Sequence, residues 1–194
     1  MAVKKSRNIQ YMVFVFFVTF VVAVLLGGGT EAVLRFLPVS LTWIFLIIVI
    51  VTGIIFDIIG IAVTAADEAP HHARAAKKVF GAKQAVFLIK RSDKVANFAN
   101  DIVGDITGTL SGAMGAAIVI RLANYYSFLD NWKVLLNILF LGVIASLTVT
   151  GKAWGKTFAI YQANRIVDIT GRVIAGLEKY SGLNLTGVNK KGGK

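Results

Sequence analysis

Four long apolar runs alternate with shorter polar, mostly basic stretches along this chain. Residues 9–26 carry no charge, 39–66 carry only Asp57, 97–121 carry Asp101 and Asp105 before a closing Arg121, and 134–151 carry none. An α-helix needs about 20 apolar residues to cross a ~30 Å hydrocarbon core. The stretch 98–121, FANDIVGDITGTLSGAMGAAIVIR, is roughly 36 Å long at the helical rise. The pattern predicts an all-α integral membrane protein with four transmembrane helices, at 9–26, 39–66, 97–121 and 134–151.

The stretches between these runs have their own periodicity. Residues 67–96 contain a helix start at Pro70 and a breaker at Gly81, and predict a pair of cytoplasmic juxtamembrane helices. Gly151 and Gly155 bracket Lys152 and predict a break at the end of the fourth run. Residues 155–180 then place Phe158, Ile160, Ile166, Val167, Ile169, Val173, Ile174 and Leu177 on one side and Lys156, Arg165, Arg172 and Lys179 elsewhere. That is the pattern of an amphipathic belt helix in the membrane interface. Residues 30–38 predict a short outer connection, and Tyr125, Tyr126, Phe128 and Trp132 an aromatic interfacial belt. The basic residues 1–8 form a cytoplasmic amino terminus. Residues 181–194, rich in Gly and Lys, predict a disordered basic tail.

Composition sharpens this picture. The chain has 194 residues, 56% hydrophobic and only 16% charged, against ~25% charged in ordinary soluble domains. The formal net charge is +11. Its cations lie between the apolar runs, which favours the positive-inside rule and anionic lipid headgroups over a nucleic-acid groove. Arg74, Lys77, Lys78, Lys83, Lys90, Arg91 and Lys94 place 67–96 in the cytoplasm. The expected protein is therefore a multi-pass protein of the cell membrane with both termini cytoplasmic. There is no cysteine, which excludes disulfides, thiolate metal sites and thiol catalysis. No nucleophile–base pair or phosphate loop suggests an enzyme. His71 and His72 are adjacent, point about 100° apart on a helix, and are expected in solvent or at headgroups.

The candidate chemistry lies inside the apolar runs. A charge at the bilayer centre costs ~2.5 kcal/mol or more, so it must face protein or water. Asp57 stands between Gly53 and Gly60, which are expected to loosen the helix and expose carbonyls. Gly104, Gly108, Gly112 and Ala116 recur every four residues, a small-residue stripe suited to close helix packing. Asp101, Asp105 and Thr109 run beside it. Asp57 and Asp105 each lie about 13 Å above the same membrane face, so antiparallel helices can bring them level. Lys152 can reach inward from Gly151, or snorkel to the headgroups.

Three stretches together resemble the transmembrane domain of the CNNM/CorC magnesium-transporter family. FDIIGIAVTAAD at 56–67 is similar to the family's Phe-Ser-Gly signature and its apolar sequel. IVGDITGTLSGA at 102–113 resembles the Gly-Asn stretch of the next span, and GKAWGKTFAIYQANR at 151–165 the Gly-Glu-x-x-Pro-Lys ending with its belt helix. The resemblance implies a homodimer that moves magnesium. Carried over by position, the family's Ser, Asn and Glu ligands become Asp57, Asp105 and Lys152, and both sets sum to minus one. The family's Pro becomes Gly155, while Lys156 and Arg165 match. The chain has an extra first span, and the CBS domains that usually follow are not expected in it.

The leading expectation is a membrane transporter for a small cation, magnesium first. Magnesium, as substrate, favours hard oxygen ligands. Asp57 and Asp105 would supply them, with Thr64, Thr107 and Thr109 as secondary oxygens and Lys152 as a competing charge. The alternative is a non-transporting interaction or regulatory protein, its site closed by an Asp-Lys-Asp cluster, binding another membrane protein.

Overall fold

The computed structural model describes residues 2–183 and 186–187, and every regular element among them is helical. In chain order these are α1 (Ala2–Phe36), α2 (Val39–Ala65), α3 (Glu68–Ala76), α4 (Ala82–Lys90), α5 (Ser92–Ala96), a π-helical segment (Asn97–Val103), α6 (Gly104–Tyr125), a 3-10 segment (Ser127–Trp132), α7 (Lys133–Tyr161) and α8 (Ala163–Ser181). Four stretches are long and apolar enough to cross a membrane: Met12–Phe36, Val39–Ala65, Ser92–Tyr125 and Lys133–Tyr161. The basic side chains at 4, 5 and 7 and, of the tail at 181–194, residues 184–185 and 188–194 lie outside the described residues; Thr186 is buried and donates to Glu178 at 2.7 Å.

Two expected breaks are absent. α1 continues through Gly27, Gly28 and Gly29 to Phe36, and the connection to α2 shrinks to Leu37 and Pro38. α7 runs unbroken through Gly151 and Gly155 to Tyr161. Glycine weakens a helix by only ~1 kcal/mol, which packing can outweigh. The chain turns instead at Gln162, whose φ/ψ of −113°/22° leaves the helical region. No glycine or proline marks that turn.

The chain forms two compact units. The first comprises Met1–Val49 and Thr109–Gly142. In it, Arg121 binds the end of α1: one guanidinium nitrogen donates to the Leu37 carbonyl at 2.9 Å and the other to the Leu34 carbonyl. A cation there satisfies carbonyls that the helix leaves unpaired and complements its dipole. Trp43 meets Phe140 edge-on, ring centroids 5.1 Å apart.

The second unit comprises Ile50–Gly108 and Val143–Lys194. Its core joins Ala62 and Val63 of α2, Ala85, Leu88 and Ile89 of α4, Ala159 of α7, and Val167 of α8. α8 is held to α3 and α4 along one stripe. Asn164 accepts from the Asp67 amide at 2.9 Å, Asp168 accepts from Arg74, and Glu178 accepts from Gln84 at 2.8 Å. Where α8 crosses the α3–α4 turn, both partners are glycine. Gly81 has φ +80°, and a Cβ on Gly171 would lie 2.6 Å from the Gly81 carbonyl oxygen.

This packing changes two expectations. α8 is no isolated belt helix: Val167, Gly171 and Ala175 are buried, while Ile169, Val173, Leu177 and Tyr180 form an exposed apolar stripe. His71, expected in solvent or at headgroups, is buried, its Nδ1 3.2 Å from the Asp168 carboxylate. That approach is close enough for an ion pair but not aligned as a hydrogen bond. Burial lowers its pKa below 6.5, against the opposing pull of Asn164. His72 remains half exposed, 3.7 Å from Glu68.

Candidate functional site

The second unit places α2 antiparallel to the π-helical segment and the start of α6. The contact follows two stripes of side chains. On α2, Gly53, Asp57 and Gly60 recur at spacings of four and three, one face of a helix. Each is buried. Thr107 occupies the space that a Cβ on Gly53 would need, and Asn100 the space of one on Gly60. These glycines do not loosen α2, which is continuous from Val39 to Ala65. They are sockets for side chains of the neighbouring helix.

The two sockets fix the register. Residue 53 pairs with 107 and 60 with 100, so Asp57, between them, lies opposite the backbone at 103–104. Lys152 arrives at that same level. Its Nζ donates to the Gly104 carbonyl at 3.3 Å and lies 3.1 Å from where a Gly104 Cβ would stand. α7 comes close because its small residues receive α2: a Cβ on Gly155 would lie 2.8 Å from Ile58 Cγ1, and one on Gly151 would overlap Ile54. Lys152 reaches the Gly104 carbonyl from an intact helix rather than a break, and among the described residues it forms no ion pair with Asp57.

Asp57 is only 5% exposed, and its Oδ2 has no hydrogen-bond partner. The Oδ1 of Asn100, in the Gly60 socket, is likewise buried without a partner. An unpartnered buried polar atom costs ~1–3 kcal/mol, more when charged, so two along one contact call for a ligand, a proton or water. The π-helical segment runs beside them. Its i→i+5 bonds insert one extra residue into a turn, a distortion that often accompanies functional sites. It is pinned locally by Asn97, whose amide donates to Asp101 at 2.6 Å.

The other predicted oxygens fall elsewhere. Asp105, next after Gly104, is exposed, as are Asp101 and Thr109 along the same stripe. Asp57 thus stands on the α2 contact and Asp105 on an exposed face. Thr107 is buried, but its hydroxyl donates to the carbonyls of Val103 and Gly104, at 2.8 and 3.0 Å. The Thr64 hydroxyl is exposed and donates to Ile61. Of the glycine stripe, Gly104 meets Lys152, a Cβ on Gly108 would meet open space, and one on Gly112 would make ordinary contact with Leu141 at 3.8 Å. Ala116, its last member, is half-buried. Among the described residues no three His, Asp or Glu side chains converge to hold a metal. Asn100 escaped the sequence reading. Its signal was spacing: Asn100, Gly104 and Thr107 form a stripe at helical steps of four and three, next to that of Asp101, Asp105 and Thr109.

The fold defines an all-helical chain with four helices long and apolar enough to cross a membrane. No protein-family model, curated protein or solved structure matches it.

Proposed function

We propose that the chain is a multi-pass membrane transporter for a small cation, magnesium the first candidate, with both termini cytoplasmic and a relationship to CNNM/CorC transporters. One observation carries the reading: a buried carboxylate oxygen of Asp57 lacks a partner inside a helix apolar enough to cross a membrane. A carboxylate in such surroundings is stable only when a proton or cation meets it. Asn100 supplies a neutral oxygen along the same contact, and Lys152 is a resident ammonium that a transported cation must compete with or displace. Asp105, a carboxylate at the edge of this level, would receive the ion on its way in or out.

The Lys152 bond to Gly104 favours a second reading, in which the ammonium closes the site and the chain serves as a partner for another membrane protein. Ion binding separates the two. A transporter binds its cation in the folded state alone and is stabilised by it. Melting of the purified chain, titrated with magnesium, manganese, calcium and sodium, is expected to rise at millimolar magnesium, with Asp57→Asn abolishing the rise. Identical melting with and without every cation would exclude the transporter reading.

A homodimer is part of the proposal. A Cβ on Gly108 would meet open space on a helix apolar enough to span, as an unfilled helix-packing surface requires. Gly108→Leu is expected to shift the purified chain from dimer to monomer, read by light scattering in detergent. An unchanged mass would remove this surface from any dimer contact.

A further inference from the structure

The second unit has a cavity of about 480 Å³ that the ion site does not use. Phe56 and Ile59 of α2 form its floor, and Val173 and Leu177 of α8 one wall. Arg91 and Lys94 also line it. Both are exposed, and Arg91 lies over the Phe87 ring at 4.6 Å, so its guanidinium is held at the edge of the apolar space. No acidic residue lines the cavity; Asp93 stands between the two cations in sequence but outside the lining.

We infer that this groove binds an anionic membrane phospholipid, with an acyl chain against Phe56, Ile59 and Val173 and the phosphate at Arg91 and Lys94. The inference rests on membrane placement of the four long helices and is independent of cation transport. Depth supports it. Phe56 precedes Ala65, the end of α2, by nine residues, or ~13 Å. The floor therefore belongs to a helix apolar enough to span, while Arg91 stands at the turn between α4 and α5 and Lys94 in the first turn of α5, at the very start of the stretch long enough to span. An amphiphile with an apolar end and an anionic end is the complement of that gradient.

Charge disfavours the other occupants. The chain's own tail carries Lys190, Lys191 and Lys194 and would bring cations to a cationic rim. A second copy would bring the same rim, on a chain whose net charge is already +11.

The test uses the full chain in bilayer discs of equal phosphatidylglycerol and phosphatidylcholine, then native mass spectrometry after transfer to detergent. Retained lipid should be predominantly phosphatidylglycerol. A basic residue near a membrane surface contributes enough that losing two should lower retention roughly tenfold. Arg91→Gln with Lys94→Gln should therefore do so. Lys83→Gln with Lys179→Gln, on a neighbouring basic surface, should not. Val173→Trp, which fills the groove and keeps both cations, should also lower retention. Glycerol phosphate in solution should not displace the lipid, because the acyl chain holds it. Equal retention of both lipids, equal loss in the two glutamine pairs, no loss in Val173→Trp, or displacement by glycerol phosphate would each overturn the inference. A photoreactive residue at Val173 gives an independent reading in intact membranes. A lipid-mass adduct supports the groove, and a crosslink to protein overturns it. None of these readouts depends on ion binding.

Discussion

Lys152→Ala is expected to lower stability by about 1.5 kcal/mol, the loss of one charge-assisted hydrogen bond, and to make the chain more responsive to magnesium. Asp57 is 5% exposed, so its carboxylate has little water to turn to. The Lys152 ammonium stands at the level of Asp57, held by the Gly104 carbonyl on the opposing helix. Removing it takes away the bond to Gly104 and the positive charge at that level, which a transported cation would otherwise have to displace. Added divalent cation should then fill the gap, and melting should rise with magnesium more steeply than in the parent. Alanine also deletes an aliphatic stem packed at Gly104, so Lys152→Met is the better comparison. It keeps the stem and loses the charge, and should retain most of the packing while showing the same steepened response. Lys152→Glu should go further, since it restores the residue type that the family resemblance places there. Equal magnesium responses in the parent, Lys152→Ala and Lys152→Met would separate Lys152 from the ion site altogether.

The level that Asp57 shares with the start of α6 was legible in the sequence, and the faces on which the side chains lie were less so. Counting residues from the span ends places Asp57 and the start of α6 at the same depth, because helical rise is fixed and the intervening loop returns to the same side. Rotation about the helix axis is another matter. An ideal α-helix through 98–121 puts Asp101 and Asp105 beside the glycine stripe, and two aspartates draw attention to that face. The π-helical turn from Asn97 to Val103 changes the rotation of everything before it relative to α6. Asn100 and Thr107 face α2, Gly104 meets Lys152 of α7, and Asp105 is exposed. Asn100, Gly104 and Thr107 nevertheless keep ordinary helical spacing, so their face was present in the sequence beside the more conspicuous aspartates.

Glycine was the second source of difference. Gly53, Gly60, Gly151 and Gly155 read as weak points when each is considered alone. In the structure they take Thr107, Asn100, Ile54 and Ile58. A missing Cβ weakens a helix by ~1 kcal/mol and also admits a neighbour. Which effect wins depends on the facing side chain, which lies on another helix and many residues away. The turn at Gln162 was hidden for a related reason. Val167, Gly171 and Ala175 had to turn back onto α4, and the bonds that hold them there join α8 to residues about ninety positions earlier.

The same reasoning predicts that Gly81→Ala will detach α8 from the α3–α4 turn at a cost of about 3 kcal/mol. Two penalties meet at this position. Gly81 has φ +80°, where a side chain costs ~1–2 kcal/mol by itself. An alanine Cβ would also lie 2.6 Å from both the nitrogen and the Cα of Arg172. Those are backbone atoms of a helix, so no rotamer change relieves the overlap, and α8 must move as a body. The polar pairs along α8 tie Asp67, Arg74 and Gln84 to it, and displacement would break them together. Hydrogen exchange should show lost protection throughout 163–181 in Gly81→Ala, with α1 unaffected. Gly176→Ala is the control on the same helix: a Cβ there meets nothing within 4 Å. It should be neutral or up to ~1 kcal/mol stabilising, as alanine is the better helix former. If Gly81→Ala and Gly176→Ala melt alike, the close crossing of Gly81 and Gly171 does not hold α8 in place. Loss confined to residues 77–82 would mean that only the turn is strained.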